Sequence, residues 1–93
     1  MAWGFITELP ISRDEYDRLN AEIRDDPEGL IVHTASEKGG TMRVIDIWES
    51  KDAYERFEQE MLFPAMGRIG MSAPDSPPPR DEFEVHNLRR GPS

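Results

Sequence analysis

LIVHTASEKGGTMRVIDIWESKDAYERF, residues 30–57, reads as strand, turn, strand and helix. Gly39-Gly40 is the turn signal, set between two runs rich in Leu, Ile, Val, Thr and Trp. The second run, residues 41–49, is apolar on both pleat faces at its middle. Met42, Val44 and Trp48 fall on one face and Ile45 and Ile47 on the other. A strand apolar on both faces needs cover on both, and the rest of the chain has to supply it.

Working outward, Trp3, Phe5 and Thr7 alternate with Gly4, Ile6 and Glu8, so residues 2–8 read as a first strand. Gly4 leaves room for a ligand or a neighbouring side chain to approach the backbone. Pro10 ends this strand. Ser12 opens a helix with a capping box closed by Glu15, and Ile11 and Tyr16 are spaced for a hydrophobic staple. Tyr16, Leu19 and Ile23 form a narrow apolar stripe. Residues 25–29, DDPEG, close the helix. Strands are expected at 30–37 and 41–49.

Ser50 is placed to cap a second helix, whose buried face carries Tyr54, Phe57 and Met61. Pro64 predicts a kink, or a new short helix with proline in its first turn. Residues 70–80, with prolines at 77–79, read as a stiff loop. Residues 81–88 alternate again as a fourth strand, and 89–93 form a tail. The order is β-α-β-β-α-β. With right-handed crossovers this gives a ferredoxin-like α+β domain spanning 1–93, with antiparallel sheet order 4-1-3-2 and both helices on one face. The third strand is apolar on both faces, so whichever of them the helices leave bare predicts a homodimer.

Composition narrows the function. A formal net charge of −8, with no basic stripe, disfavours nucleic acid and anionic membranes. The chain has no cysteine, which removes disulfides, thiolate nucleophiles and the usual structural zinc sites. No signal-peptide pattern and no membrane-length apolar run is visible, so a cytoplasmic protein is expected. Neither a Gly-rich phosphate loop nor an HExxH motif occurs.

Residues 43–66, RVIDIWESKDAYERFEQEMLFPAM, together with Val85-His86-Asn87, resemble the dimeric α+β barrel superfamily, in particular its antibiotic-biosynthesis monooxygenase-like branch. The resemblance covers most of residues 3–88. It implies the ferredoxin-like dimer and a small-molecule enzyme, of the type that oxygenates aromatic or polyketide-like substrates without a cofactor. Trp48 matches the tryptophan that ends the third strand in the oxygenases, and Tyr54 matches a helix tyrosine of the quinone oxygenases. Val44 stands where those enzymes have an asparagine. The haem-degrading members carry a ligand histidine on the second helix; this helix has none, with Glu58 near its place. Fold is better specified by such a likeness than activity is. A non-catalytic dimeric binding or accessory protein of the same fold is the alternative.

Hairpin arithmetic adds a site independently of the family. Symmetry about Gly39-Gly40 makes facing residues sum to 79, so His33 faces Asp46, Ile31 faces Trp48 and Ala35 faces Val44. His33 beside Asp46 is either a polar cross-strand pair that fixes register or a base with its orienting carboxylate. As catalytic residues we therefore read His33 and Asp46. Trp48, Tyr54, Trp3, Phe5, Phe57 and Met61 are read as lining an aromatic pocket, or else as plain core. Phe63 and Met66 extend that wall. A metal site from His33, Asp46 and His86 fails on distance, because the two histidines lie on opposite edge strands roughly 14 Å apart. No metal and no cofactor is expected.

Overall fold

The computed structural model describes residues 1–72 and 79–92. The fold is α+β. The sheet is antiparallel, with the strands in the order β2-β3-β1-β4, which is the expected 4-1-3-2 order read from the other edge. These strands are β1 (Trp3–Leu9), β2 (Leu30–Lys38), β3 (Thr41–Trp48) and β4 (Arg80–Glu84). Helix α1 (Arg13–Glu22) follows β1; α2 (Lys51–Phe57), a π-helical turn (Glu58–Leu62) and α3 (Phe63–Arg68) follow β3.

The hairpin forms as its glycines require. Gly39 and Gly40 have φ of +60° and +86°, the pair of left-handed conformations that a two-residue hairpin turn needs. His33 pairs with Asp46 and Ala35 with Val44, as the sum of 79 demands. The register then slips. Leu30, not Ile31, stands opposite Trp48, and Ile31 is the extra residue of a bulge.

Both helices begin at their expected caps. The Glu15 amide donates to Ser12 Oγ at 3.1 Å, and the Ser12 amide donates to Glu15 Oε1 at 3.0 Å. The Ala53 amide donates to Ser50 Oγ at 3.1 Å. Pro64 sits in the first turn of α3, as read. What precedes it is a π turn, in which the Phe63 amide reaches back to the carbonyl of Glu58. Proline has no N–H to continue an α-helical ladder, and a wider turn inserted before it lets the chain pass without a sharp break.

The π turn adds one residue to the helical phase. Tyr54 and Ala65 are buried, Phe57, Met61 and Leu62 are half-buried, and it is Leu62 rather than Met61 that lines the cavity under the helices. Arg68 ties α3 to the end of α1, its Nε donating to Glu22 Oε1 at 2.7 Å and its NH2 group to the Glu22 carbonyl at 3.2 Å.

Strand β4 is shorter than the expected 81–88. Glu84 pairs with Trp3, the first residue of β1, and the Val85 amide makes a last bond to the Ala2 carbonyl; beyond that the partner strand has ended. The expected loop at 70–80 falls mostly outside the described residues, which omit 73–78. At its far end the Thr7 hydroxyl donates to the Pro79 carbonyl at 3.0 Å, fixing the entry to β4.

The core lies between sheet and helices. Trp3, Phe5, Val44, Trp48 and Tyr54 are buried together, with Leu9, Leu30, Ala35, Ala53 and Phe57 packed around them. Trp48 is therefore on the helix face, and at 1% exposure it is the most enclosed large side chain described. Gly4 lies on the other face, where a Cβ would come within 2.9 Å of both Phe83 and Ile47. The room left by Gly4 is filled by these neighbours. Ile6, Ile45, Ile47 and Phe83 are only half-buried there, and Val32 is exposed.

Candidate functional site

The helix face of the hairpin carries a polar chain set into an apolar wall. Asp46 follows Val44 and precedes Trp48 in the period-two alternation of β3, so its carboxylate points under the helices. Only 6% of that side chain is exposed. His33 Nδ1 lies 2.6 Å from Asp46 Oδ1, and Trp48 Nε1–H donates to Asp46 Oδ2 at 3.0 Å. Each carboxylate oxygen thus has a donor, which a buried charge requires. On the outer side of the imidazole, His33 Nε2 lies 2.6 Å from the Tyr16 hydroxyl. The Tyr16 ring stacks nearly parallel to the imidazole, at 12° and 6.1 Å between centroids. The four residues form one line: Tyr16, His33, Asp46, Trp48.

Hydrogen bonding to Asp46 raises the His33 pKa above its ordinary 6.5, with the Asp46 charge adding to the effect and burial opposing it. Burial raises the Tyr16 hydroxyl above the usual tyrosine value, and the charges of Asp46 and Asp17 push it further. Tyr54 is pushed well above its ordinary value, first by burial and then by Glu58. Both tyrosines are therefore neutral hydroxyls at neutral pH.

A raised histidine pKa stabilises the fold while the imidazole is charged. That contribution is complete below about 6.5, the unfolded value, and is lost as pH rises through the higher folded value. Urea unfolding across this range should show the loss, and Asp46→Asn should flatten it. An Asp46→Asn protein with the same pH dependence as the parent would refute the coupling.

A cavity of about 420 Å³ opens between sheet and helices. His33, Asp46 and Tyr16 are in its wall, with Trp48, Tyr54, Phe57 and Phe5 among the aromatic lining. The sequence-predicted residues are thus brought together, apart from two. Trp3 is buried in the core beside Phe5 and Tyr54, at ring distances of 5.5 and 5.6 Å, and does not reach the cavity. Met61 is half-buried but not part of the cavity lining, where Leu62, one residue further along the π turn, stands instead. Phe63 and Met66 are likewise absent from the lining.

Two residues beside the cavity are not legible from the sequence. Tyr16 was assigned to a staple by its spacing, and spacing does not distinguish a packing ring from one whose hydroxyl has a partner. Arg80 was placed at the end of a loop. Its guanidinium carbon lies 5.3–5.5 Å from the ring centroids of Trp3, Phe5 and Tyr54. Among the described residues no cluster of three or more His, Asp or Glu is arranged to hold a metal, and no helix is long and apolar enough to cross a membrane.

No family model matches the chain, and no curated protein matches it. Solved structures do. A protein from Chloroflexus aurantiacus, provisionally named an antibiotic biosynthesis monooxygenase, superposes with a TM-score of 0.67 at 15% identity, covering 97% of this chain and 98% of that one. A second protein of the same provisional name, from Caulobacter crescentus, gives 0.64 at 15% identity, with 92% and 91% covered. A conserved protein from Methanosarcina mazei gives 0.56 at 8% identity, with 89% and 91% covered. The chain therefore shares the ferredoxin-like fold of these structures. At these identities the likeness is one of fold.

Proposed function

We propose that this protein is a small-molecule enzyme that oxygenates a phenolic, aromatic or polyketide-like substrate, with the substrate supplying the electrons. The observation that carries this reading is the Asp46–His33 pair standing in the wall of an aromatic cavity of about 420 Å³. Among its described lining, Asp26, His33 and Asp46 are the residues besides tyrosine that titrate, and neither lysine nor arginine contributes. Such a pocket suits a molecule that enters neutral and becomes an anion only when a base takes its proton.

His33 is the base, and Asp46 fixes its tautomer and stabilises the imidazolium. Trp48, Tyr54, Phe5 and Phe57 hold the substrate rings. The anion forms a C–O bond with dioxygen. The resulting peroxide loses water, and a carbonyl remains on a carbon that had carried two hydrogens. One oxygen atom stays in the product and the other leaves as water. The protein contributes position and deprotonation.

Oxygen uptake with a panel of anthrones and polyhydroxylated naphthalenes tests the reading. Enzyme-dependent uptake, with a quinone as product, is expected for at least one of them. Tight binding with no uptake, unaffected by His33→Ala, would favour a non-catalytic binding protein.

The bare sheet face is proposed to seat a second copy of the chain. Ile6, Ile45, Ile47 and Phe83 there are too apolar to be a wet surface, and pairing through this face would build a barrel. Light scattering at micromolar concentration should give twice the chain mass, and Ile45→Glu should give a monomer. A monomeric parent protein would refute the pairing.

A further inference from the structure

His33 has no free ring nitrogen. Nδ1 is held by Asp46 Oδ1 and Nε2 by the Tyr16 hydroxyl, each at 2.6 Å. With Nδ1–H donating to the carboxylate, the neutral imidazole presents its lone pair at Nε2, and the Tyr16 O–H donates into it. A substrate proton therefore meets an acceptor that is already occupied. The Tyr16 oxygen, in contrast, keeps a lone pair, and Tyr16 lines the same cavity as His33. The stacked ring and the tie of α1 to α3 through Glu22 and Arg68 hold it in place.

Building on the oxygenase reading, we propose that Tyr16 is the residue that meets the substrate's acidic proton, and that His33 receives that proton's charge only through Tyr16. The Tyr16 oxygen accepts a proton from the substrate as its own hydroxyl proton passes to His33 Nε2. The products of the step are a substrate anion, a neutral Tyr16, an imidazolium at His33 and the unchanged Asp46 carboxylate. Because both transfers happen together, no tyrosinate has to exist beside Asp46 and Asp17, whose charges oppose one. Asp46, Asp17 and His33 are the charged or titrating neighbours of Tyr16 that this relay involves.

Tyr16→Phe separates the relay from packing, since it keeps the ring and removes the oxygen. With 1,8-dihydroxyanthrone as substrate, kcat should fall by about 100-fold or more while KM stays within about threefold. The parent enzyme should give a proton inventory curved by two moving protons. The nitrogen-15 resonance of His33 Nε2 should shift in Tyr16→Phe, a readout that needs no turnover. Wild-type kcat in Tyr16→Phe, with His33→Ala inactive, would overturn the relay and leave the oxygenase reading standing. An unmoved Nε2 resonance would overturn it as well, since the bond to Tyr16 would then be absent in solution. A parent enzyme that oxidises no anthrone, phenol or naphthol would overturn the oxygenase reading, and the relay with it.

Discussion

Replacing His33 by alanine lowers turnover by about 10²–10⁴-fold and leaves the protein folded. The size follows from what is removed. A positioned base with a buried carboxylate behind it is lost, and water in an aromatic pocket is a poor substitute. The fold survives because of how the pair is built. Asp46 keeps the Trp48 indole N–H at 3.0 Å, so one carboxylate oxygen remains satisfied. The other faces the space left by a side chain that is 34% exposed, where water can enter and replace the lost donor. A stability cost of about 1–3 kcal/mol is expected. Steady-state oxygen uptake and urea unfolding of the same preparations separate the two effects. Undiminished uptake would remove His33 from the mechanism, and an unfolded variant would make the pair structural first.

Trp48→Ala is expected to produce the largest stability loss, about 3–5 kcal/mol. Trp48 is 1% exposed and packs at 5.4 Å from Tyr54 and 5.2 Å from Phe57, joining the sheet to α2. Truncation opens a void at the floor of an existing cavity and strips Asp46 of its inner hydrogen-bond donor. A domain of this size has only about 5–15 kcal/mol of stability in total, so partial unfolding at physiological temperature is expected. Trp48→Phe should cost less by keeping a ring, but it too leaves Asp46 Oδ2 without its donor. Denaturation midpoints for both variants give the comparison. A loss below about 1 kcal/mol for Trp48→Ala would mean that the tryptophan lines a ligand space and carries little of the core.

These residues differ in how far the sequence betrays them. Gly39-Gly40 dictates a two-residue turn, and a turn dictates register, so His33 and Asp46 could be paired by addition alone. The sum holds as far as Val32 and fails at Ile31, because a bulge there carries no glycine or proline to mark it. Pro64 announces that the second helix changes, yet proline says nothing about whether the chain kinks or widens, and the wider turn exchanges Met61 for Leu62. The face of the sheet under the helices is set by the crossovers, which periodicity does not reveal. Tyr16 was legible as an apolar position of α1 and illegible as a partner of His33, since that contact joins residues 17 apart through tertiary packing. Arg80 fits no periodic pattern at all, and its place over three rings depends on where β4 begins.

The bulge at Ile31 and the π turn at Glu58–Leu62 flank the same hollow, one in its sheet wall and one in its helical wall. Each is a single surplus residue. Removing one from the turn ahead of Leu62 would leave Leu62 in phase, as the seventh residue after Tyr54, on a narrower turn; removing Ile31 from β2 would leave Leu30 opposite Trp48 in an unbroken ladder and take one side chain out of the cavity wall. The shape of this hollow is thus adjustable by length as well as by side-chain size. Chains of this fold with quite different residues could reach similar pockets, and near-identical ones could differ in what they admit through one deleted codon.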